Sequence, residues 1–351
     1  MQPSSSSDTP VRAEANPATV PPTLDVIDDI QGVRVQLSSD QACHLTRCST
    51  EGFLFPVDTA YELSAMTLWT HQRNTIIVRD IDGNVLTEIT NRGTTTLSRD
   101  TYIVDLCSLG VKIYLAMQGS LTIKTEEKRG QIIDCSDAER VRLGLRSFHE
   151  SPAATVTTTD QPRDIMRALS CLGSSLKTTS CERSFPSLRG HPPLLERGER
   201  FHAPSGLERT AETASVRIEV PPTLETIYPV APLAYYLNAM VHPSDSPRLV
   251  AGGSTYEPSE SEDIETWAAR LLTHIFTLDC ITRTEGFYPI TLGERETLEQ
   301  RLSAAGRDDI DFAALYDYSM DRQIQQYLSI PFETVEDLTP RWPLTAEVLP
   351  S

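Results

Sequence analysis

Val216 to Val250 read VRIEVPPTLETIYPVAPLAYYLNAMVHPSDSPRLV. The stretch is dense in aromatic and aliphatic side chains and reads as strand (216–220), helix (about 224–239) and strand (248–250), a βαβ-like unit. Pro229 and Pro232 complicate the helix. A start after Val230 would put Pro232 in the first turn, where its missing N–H costs nothing, and leave Tyr228 outside.

Downstream, Asp263 is placed to cap an amphipathic helix in which Ile264, Trp267, Ala268, Leu271, Leu272, Ile275 and Leu278 recur at helical spacing. Further helices are expected over about 294–305, with Thr291 and Glu294 as a capping box, and over about 321–328. His274 falls between core positions and reads as a boundary residue.

Upstream, the period changes. Residues 1–20, rich in Ser, Pro, Ala and Thr, read as a disordered tail. Over 21–135 short runs rich in Val, Ile, Thr, Phe and Tyr follow one another: GVRVQLS, FLFPV, NTIIVRDIDGNVLTEIT, DTYIVDL, GVKIYLAM and GSLTIKT. Asp82-Gly83 between two of them is a hairpin signal, because Gly accepts the positive φ of a tight turn. Ser136 and Glu139 suggest a capping box, with Val141, Leu145 and Phe148 on a helix behind it. A linker then leads to a second helix near Pro162 that buries Ile165, Met166, Leu169 and Leu172. Residues 173–214 read as loop. The chain is therefore expected to be α+β: an N-terminal antiparallel β-sandwich, jelly-roll-like, over 21–135; a helix and linker over 136–160; and a mixed α/β domain rich in helices over 161–351.

The chain of 351 residues carries a net charge of −18. Ten Arg and no Lys face 24 acidic residues over 201–351, and the whole chain has 27 Arg against four Lys. Such a field repels a phosphate backbone and an anionic membrane, and no local basic patch is visible in the sequence, so neither partner is expected. Acidic, lysine-poor composition suits a salty cytosol; an ordinary acidic protein with GC-rich codons is the alternative. Seven cysteines without a paired framework, and a polar N-terminus without a secretory pattern, suggest a cytoplasmic protein with reduced thiols.

Chemistry-bearing motifs are sparse. Gln41-Ala42-Cys43 matches the first positions of a caspase nucleophile motif, but His44 and Leu45 break it. Adjacent strand residues point to opposite faces, so His44 is badly placed to activate Cys43. Cys43 with Cys48, and Cys171 with Cys181, lack metal-ligand spacing, so neither metal nor cofactor is expected. Gly252-Gly253 lacks the rest of a dinucleotide fingerprint. One polar grouping stands out. Asp279, Arg283 and Glu285 sit among apolar residues at a helix end, Arg217 and Glu219 lie in the βαβ strand, and Tyr235 and Tyr236 sit on its helix. These groups suit either a ligand pocket or a satisfied network that docks the last helices.

RSFPSLRGHPPLLERG (183–198), RIEVPPTLETIYPVAPLAYYLNA (217–239) and TLDCITRTEGFYPITLGER (277–295) resemble the front part of haloarchaeal proteins that carry a CHAT domain, a caspase-like α/β fold with a His–Cys dyad. In that family the dyad histidine precedes Gly and the cysteine follows Ala. Here no His precedes Gly, and the sole Ala-Cys is Ala42-Cys43. No catalytic residue carries over, so the resemblance implies the non-catalytic front part.

The leading expectation is a non-enzymatic interaction or regulatory module that binds a protein partner, a CHAT domain in trans. No imidazole-activated thiol or hydroxyl is expected. One alternative is a hydrolase with a polar pocket built from Asp279, Arg283, Glu285 and a tyrosine; another is a structural β-sandwich protein without a ligand.

Overall fold

The computed structural model describes residues 10–64, 67–126, 130–207, 214–286 and 292–340. The chain divides into two compact units, Met1–Ala153 and Ala154–Ser351.

The first unit is all antiparallel strand: β1 (Val11–Asn16), β2 (Thr23–Asp28), β3 (Val33–Ser39), β4 (Leu45–Cys48), β5 (Thr59–Leu63), β6 (Thr67–Thr70), β7 (Ile76–Arg79), β8 (Val85–Ile89), β9 (Gly93–Leu106), β10 (Lys112–Glu126), β11 (Gly130–Asp134) and β12 (Val141–Arg146). The long β9–β10 hairpin organises it. The first half of β10 pairs with β12 and its second half with β11, while its pairing with β9 shifts register between Gly119 and Leu121. One wing then runs β12-β5-β4, with β7 and β8 beyond β9; the other runs β11-β6-β3-β2-β1. Inward side chains of both wings, among them Leu24, Val26, Leu37, Val104, Ile113, Leu115 and Leu143, form one core. The expected sandwich is therefore present, and the chain is α+β.

Asp82-Gly83 turns the β7–β8 hairpin as expected: Gly83 has φ 89°, and the Asp80 carboxylate accepts from the Asp82 and Asn84 amides. Three expectations fail. Val11–Asn16, placed in a disordered tail, pairs with β2 along its whole length and buries Val11. The helix behind Ser136 is β12, held between β10 and β5. Val141 and Leu145 are four apart, a spacing that a strand face shares with a helix face, and buried Leu143 between them fits only the strand. FLFPV is not a strand but crosses the outer sheet face. Phe55 stacks on Tyr114 at 5.3 Å, and Phe53 and Val57 occupy the space above Gly144, where a Cβ would lie 2.6 Å from the Phe53 ring.

The second unit has two small sheets and seven helices among the described residues: β13 (Thr155–Thr158), α1 (Pro162–Leu169), β14 (Leu194–Arg197), β15 (Val216–Val220), α2 (Leu224–Ile227), α3 (Ala231–Tyr236), β16 (Met240–Pro243), β17 (Arg248–Ala251), β18 (Ser254–Tyr256), α4 (Ile264–Thr282), α5 (Gly293–Ala304), α6 (Phe312–Tyr316) and α7 (Met320–Tyr327). Pro229 and Pro232 do divide the expected helix: α2 stops at Ile227, and α3 starts with Pro232 in its first turn. The βαβ unit is real but closes on a different strand. Its parallel partner is β16, whereas 248–251 returns antiparallel on the other side of β15. Asn238 makes that early return possible by adopting φ 45°, a conformation its short polar side chain tolerates.

Asp263 caps α4 through the Thr266 amide at 2.8 Å. The helix buries Trp267, Leu271, Ile275 and Leu278 in a core shared with Val216, Ile218 and Leu249. His274, expected at the boundary, is buried. Thr291, half of the second expected capping box, lies outside the described residues.

Candidate functional site

Buried charge concentrates where the end of α4 meets the turn Cys181–Ser184. The helix repeat that buries Ile275 and Leu278 also turns Asp279 inward. There Arg183 Nη2 donates to Oδ1 at 3.0 Å and lies 2.7 Å from Oδ2, and neither side chain is exposed. The other Arg183 arm donates to the Thr179 carbonyl at 2.8 Å, and the Tyr236 hydroxyl donates to Asp279 Oδ2 at 2.6 Å. Tyr327, from α7, donates to Thr282 Oγ1 at 2.8 Å beside them.

Burial pushes the Asp279 carboxyl up to about 6, against the pull of Arg183 and the Tyr236 hydroxyl. Burial is the largest single influence and would lower the Arg183 guanidinium, but the Asp279 charge together with Tyr236, Tyr327 and Cys181 raises its pKa overall. A buried ion pair needs its remaining valences met; the Tyr236 hydroxyl and the Thr179 carbonyl supply part of that here, and Arg183 Nε has no hydrogen-bond partner among the described residues.

A second pair adjoins the first. Tyr316 donates to Glu182 Oε1 at 3.0 Å, and burial raises the Glu182 carboxyl. Gly286 has no side chain because there is no room: a Cβ would sit 2.1 Å from Glu182 Oε1.

Of the seven residues singled out in the sequence, Tyr236 meets Asp279 and Arg217 lies beside Glu219, but the seven do not form one site. Asp279 belongs to the sealed pair. Arg283 instead donates to Ser184 Oγ at 2.8 Å and lies over the Phe185 ring. Glu285 pairs with Arg295. Tyr235 donates to the Gly190 carbonyl at 2.6 Å, while its neighbour Tyr236 reaches Asp279. Arg217 and Glu219 lie on an open face of β15, where Glu219 takes Arg248 at 2.6 Å. A hydrolytic pocket needs its carboxylates in one accessible cleft. Here Asp279 is sealed and Glu285 has its own partner, so the hydrolase expectation loses its geometry.

Sequence reasoning missed Glu182, Arg183, Tyr316 and Tyr327. Glu182 and Arg183 sit in a single 3₁₀ turn, Cys181–Ser184, too short for periodicity to mark which side chain goes inward.

The Cys43 thiol is buried, donates to Ser39 Oγ at 3.2 Å and has its pKa raised by burial, so it is no nucleophile for His44. One hydroxyl–imidazole pair does form, against expectation: Ser38 Oγ lies 2.9 Å from His71 Nε2. Ser38 is buried within β3, so the pair ties β3 to the end of β6 rather than presenting an oxygen to a substrate. Among the described residues no three His, Cys, Asp or Glu side chains gather as metal ligands, and no helix is long and apolar enough to cross a membrane. No family model, curated protein or solved structure matches the chain.

Proposed function

We propose that the chain is a non-enzymatic interaction module whose partner is a caspase-like protein of the CHAT type, engaged in trans. The supporting observation is β14. All four of its residues are exposed, with Leu194 at 51% and Leu195 at 41%. Successive strand residues point to opposite faces, so each side of the strand shows one exposed leucine beside one charged residue, Glu196 or Arg197. Among the described strands it pairs with β13 alone, so no described strand takes its other edge. Exposed apolar edges are normally blunted, and strand addition to a partner's sheet is a recurrent use of one left open. Leu224 and Tyr228, one turn apart around α2, are further exposed apolar side chains of the same unit. The partner class rests on the resemblance of 183–198 and 217–239, the segments that carry these side chains.

The test is size-exclusion chromatography with light scattering of an equimolar mixture with a CHAT-domain protein encoded in the same genome. A complex that dissolves in the Leu194→Asp/Leu195→Asp variant is the expected result. Separate elution of the two proteins, or turnover of peptides by this chain alone, contradicts the proposal.

A further inference from the structure

The fold assembles a basic groove that the sequence conceals. Helix α1 presents Arg163, Met166, Arg167 and Ser170 along one side, the i, i+3, i+4, i+7 pattern of a single helix face. Opposite runs the edge strand β16. Between them lies a cleft of about 280 Å³ with Met166, Cys171 and Met240 on its walls. A wider, open hollow of about 550 Å³, flanked by Arg217 and Arg248, shares His242 and Pro243 with the cleft. His242 lines both stretches, and its Nε2 is buried with no hydrogen-bond partner among the described residues.

Charge decides what this groove attracts. Among the described residues its four guanidinium groups outnumber the nearby carboxylates, Glu219 and Asp245 on the walls and Asp164 beside Arg167, in a chain whose net charge is −18. Glu219 is held by Arg248 at 2.6 Å, which leaves Arg217, 3.6 Å away, too far for a good hydrogen bond and partly exposed. Arg163 is exposed at the opposite end.

A peptide strand is a poor fit. Ser170 Oγ already accepts the outward Val241 amide at 2.9 Å, and Pro243 has no N–H, so the β16 edge is closed to strand addition. What remains is side-chain recognition: guanidinium forks for an oxyanion and methionine walls for an adaptable apolar body.

We infer that this groove binds a small amphiphile bearing one oxyanion, a carboxylate or a phosphate, on an apolar body. The site is independent of docking through β14. Calorimetric titration of the full chain with octanoate, octyl phosphate, octanol and acetate tests it, at the lowest salt that keeps the protein folded. Saturable binding of octanoate or octyl phosphate, one per chain and at least tenfold tighter than octanol or acetate, is expected. The tighter of the two anions identifies the head group. Arg163→Gln combined with Arg217→Gln, at an exposed and a partly exposed position, should weaken that binding at least tenfold while the melting curve stays put. Octanol binding as tightly as the anions, an unchanged affinity in the double variant, or no saturable binding would overturn the assignment.

Discussion

Arg183 and Asp279, 96 residues apart in sequence, share two short contacts inside a core that excludes solvent from both. The pair fastens a single 3₁₀ turn to the end of α4, the helix on which the second unit's core is built. Tyr236 adds a donor to the same carboxylate. Replacing Tyr236 by Phe removes that donor and keeps the ring, so urea unfolding should show a loss of about 1.5–3 kcal/mol, the range for a hydrogen bond to a charged group. A change near zero would mean that the hydroxyl contributes nothing to the pair.

His274 gives the second unit an acid-sensitive term. Burial and the nearby Arg270 charge depress its pKa to about 4, against an ordinary 6.5. The unfolded chain therefore takes up a proton near 6.5 while the fold stays neutral down to about 4. Stability from this group is complete above that window and is lost as pH falls through it. Asp279 acts in the opposite sense: its pKa is raised to about 6, so the fold is protonated first and its contribution grows as pH drops. His274→Leu removes only the first effect. The variant should match the parent near neutrality and exceed it by about 2 kcal/mol at about pH 5, measured by denaturant unfolding at each pH. Parallel pH profiles for the two proteins would contradict the assignment.

In the first unit, the segment 53–57 is predicted to hold the outer sheet face closed. Phe55 stacks on Tyr114, and the Arg79 and Arg146 side chains flank the two rings. Phe55→Ala should destabilise this unit by about 3–5 kcal/mol, as for other buried aromatic truncations. The fluorescence of Trp69, in β6 of this unit, can follow its unfolding.

Legibility in the sequence follows the reach of each signal. Asp82-Gly83 and Asp263 announce a turn and a cap because the residues that matter adjoin the element they control. Val141 and Leu145 mislead because a spacing of four suits both periods, and only pairing with β10 and β5 settles which applies. β16 escapes notice because four residues ending in His and Pro carry little strand signal, yet β15 selects it as parallel partner. The polar grouping around Asp279 was visible as charge among apolar residues. Its true partner, Arg183, was not, since nothing local distinguishes an arginine that turns inward in so short a turn. The basic groove is further still from the sequence, drawing its arginines from a helix and two strands within an acidic chain.

The double-mutant cycle on Arg183 and Asp279 addresses the central claim most directly: that the buried charges hold the fold and do no chemistry. Urea unfolding of the parent, Arg183→Met, Asp279→Leu and the double variant supplies all four corners. Each single change should cost about 3–5 kcal/mol by stranding a buried charge, and the double variant should recover to within about 1 kcal/mol of the parent. Single variants as stable as the parent would contradict the account, because a pair that contributes nothing to stability must be kept for another purpose.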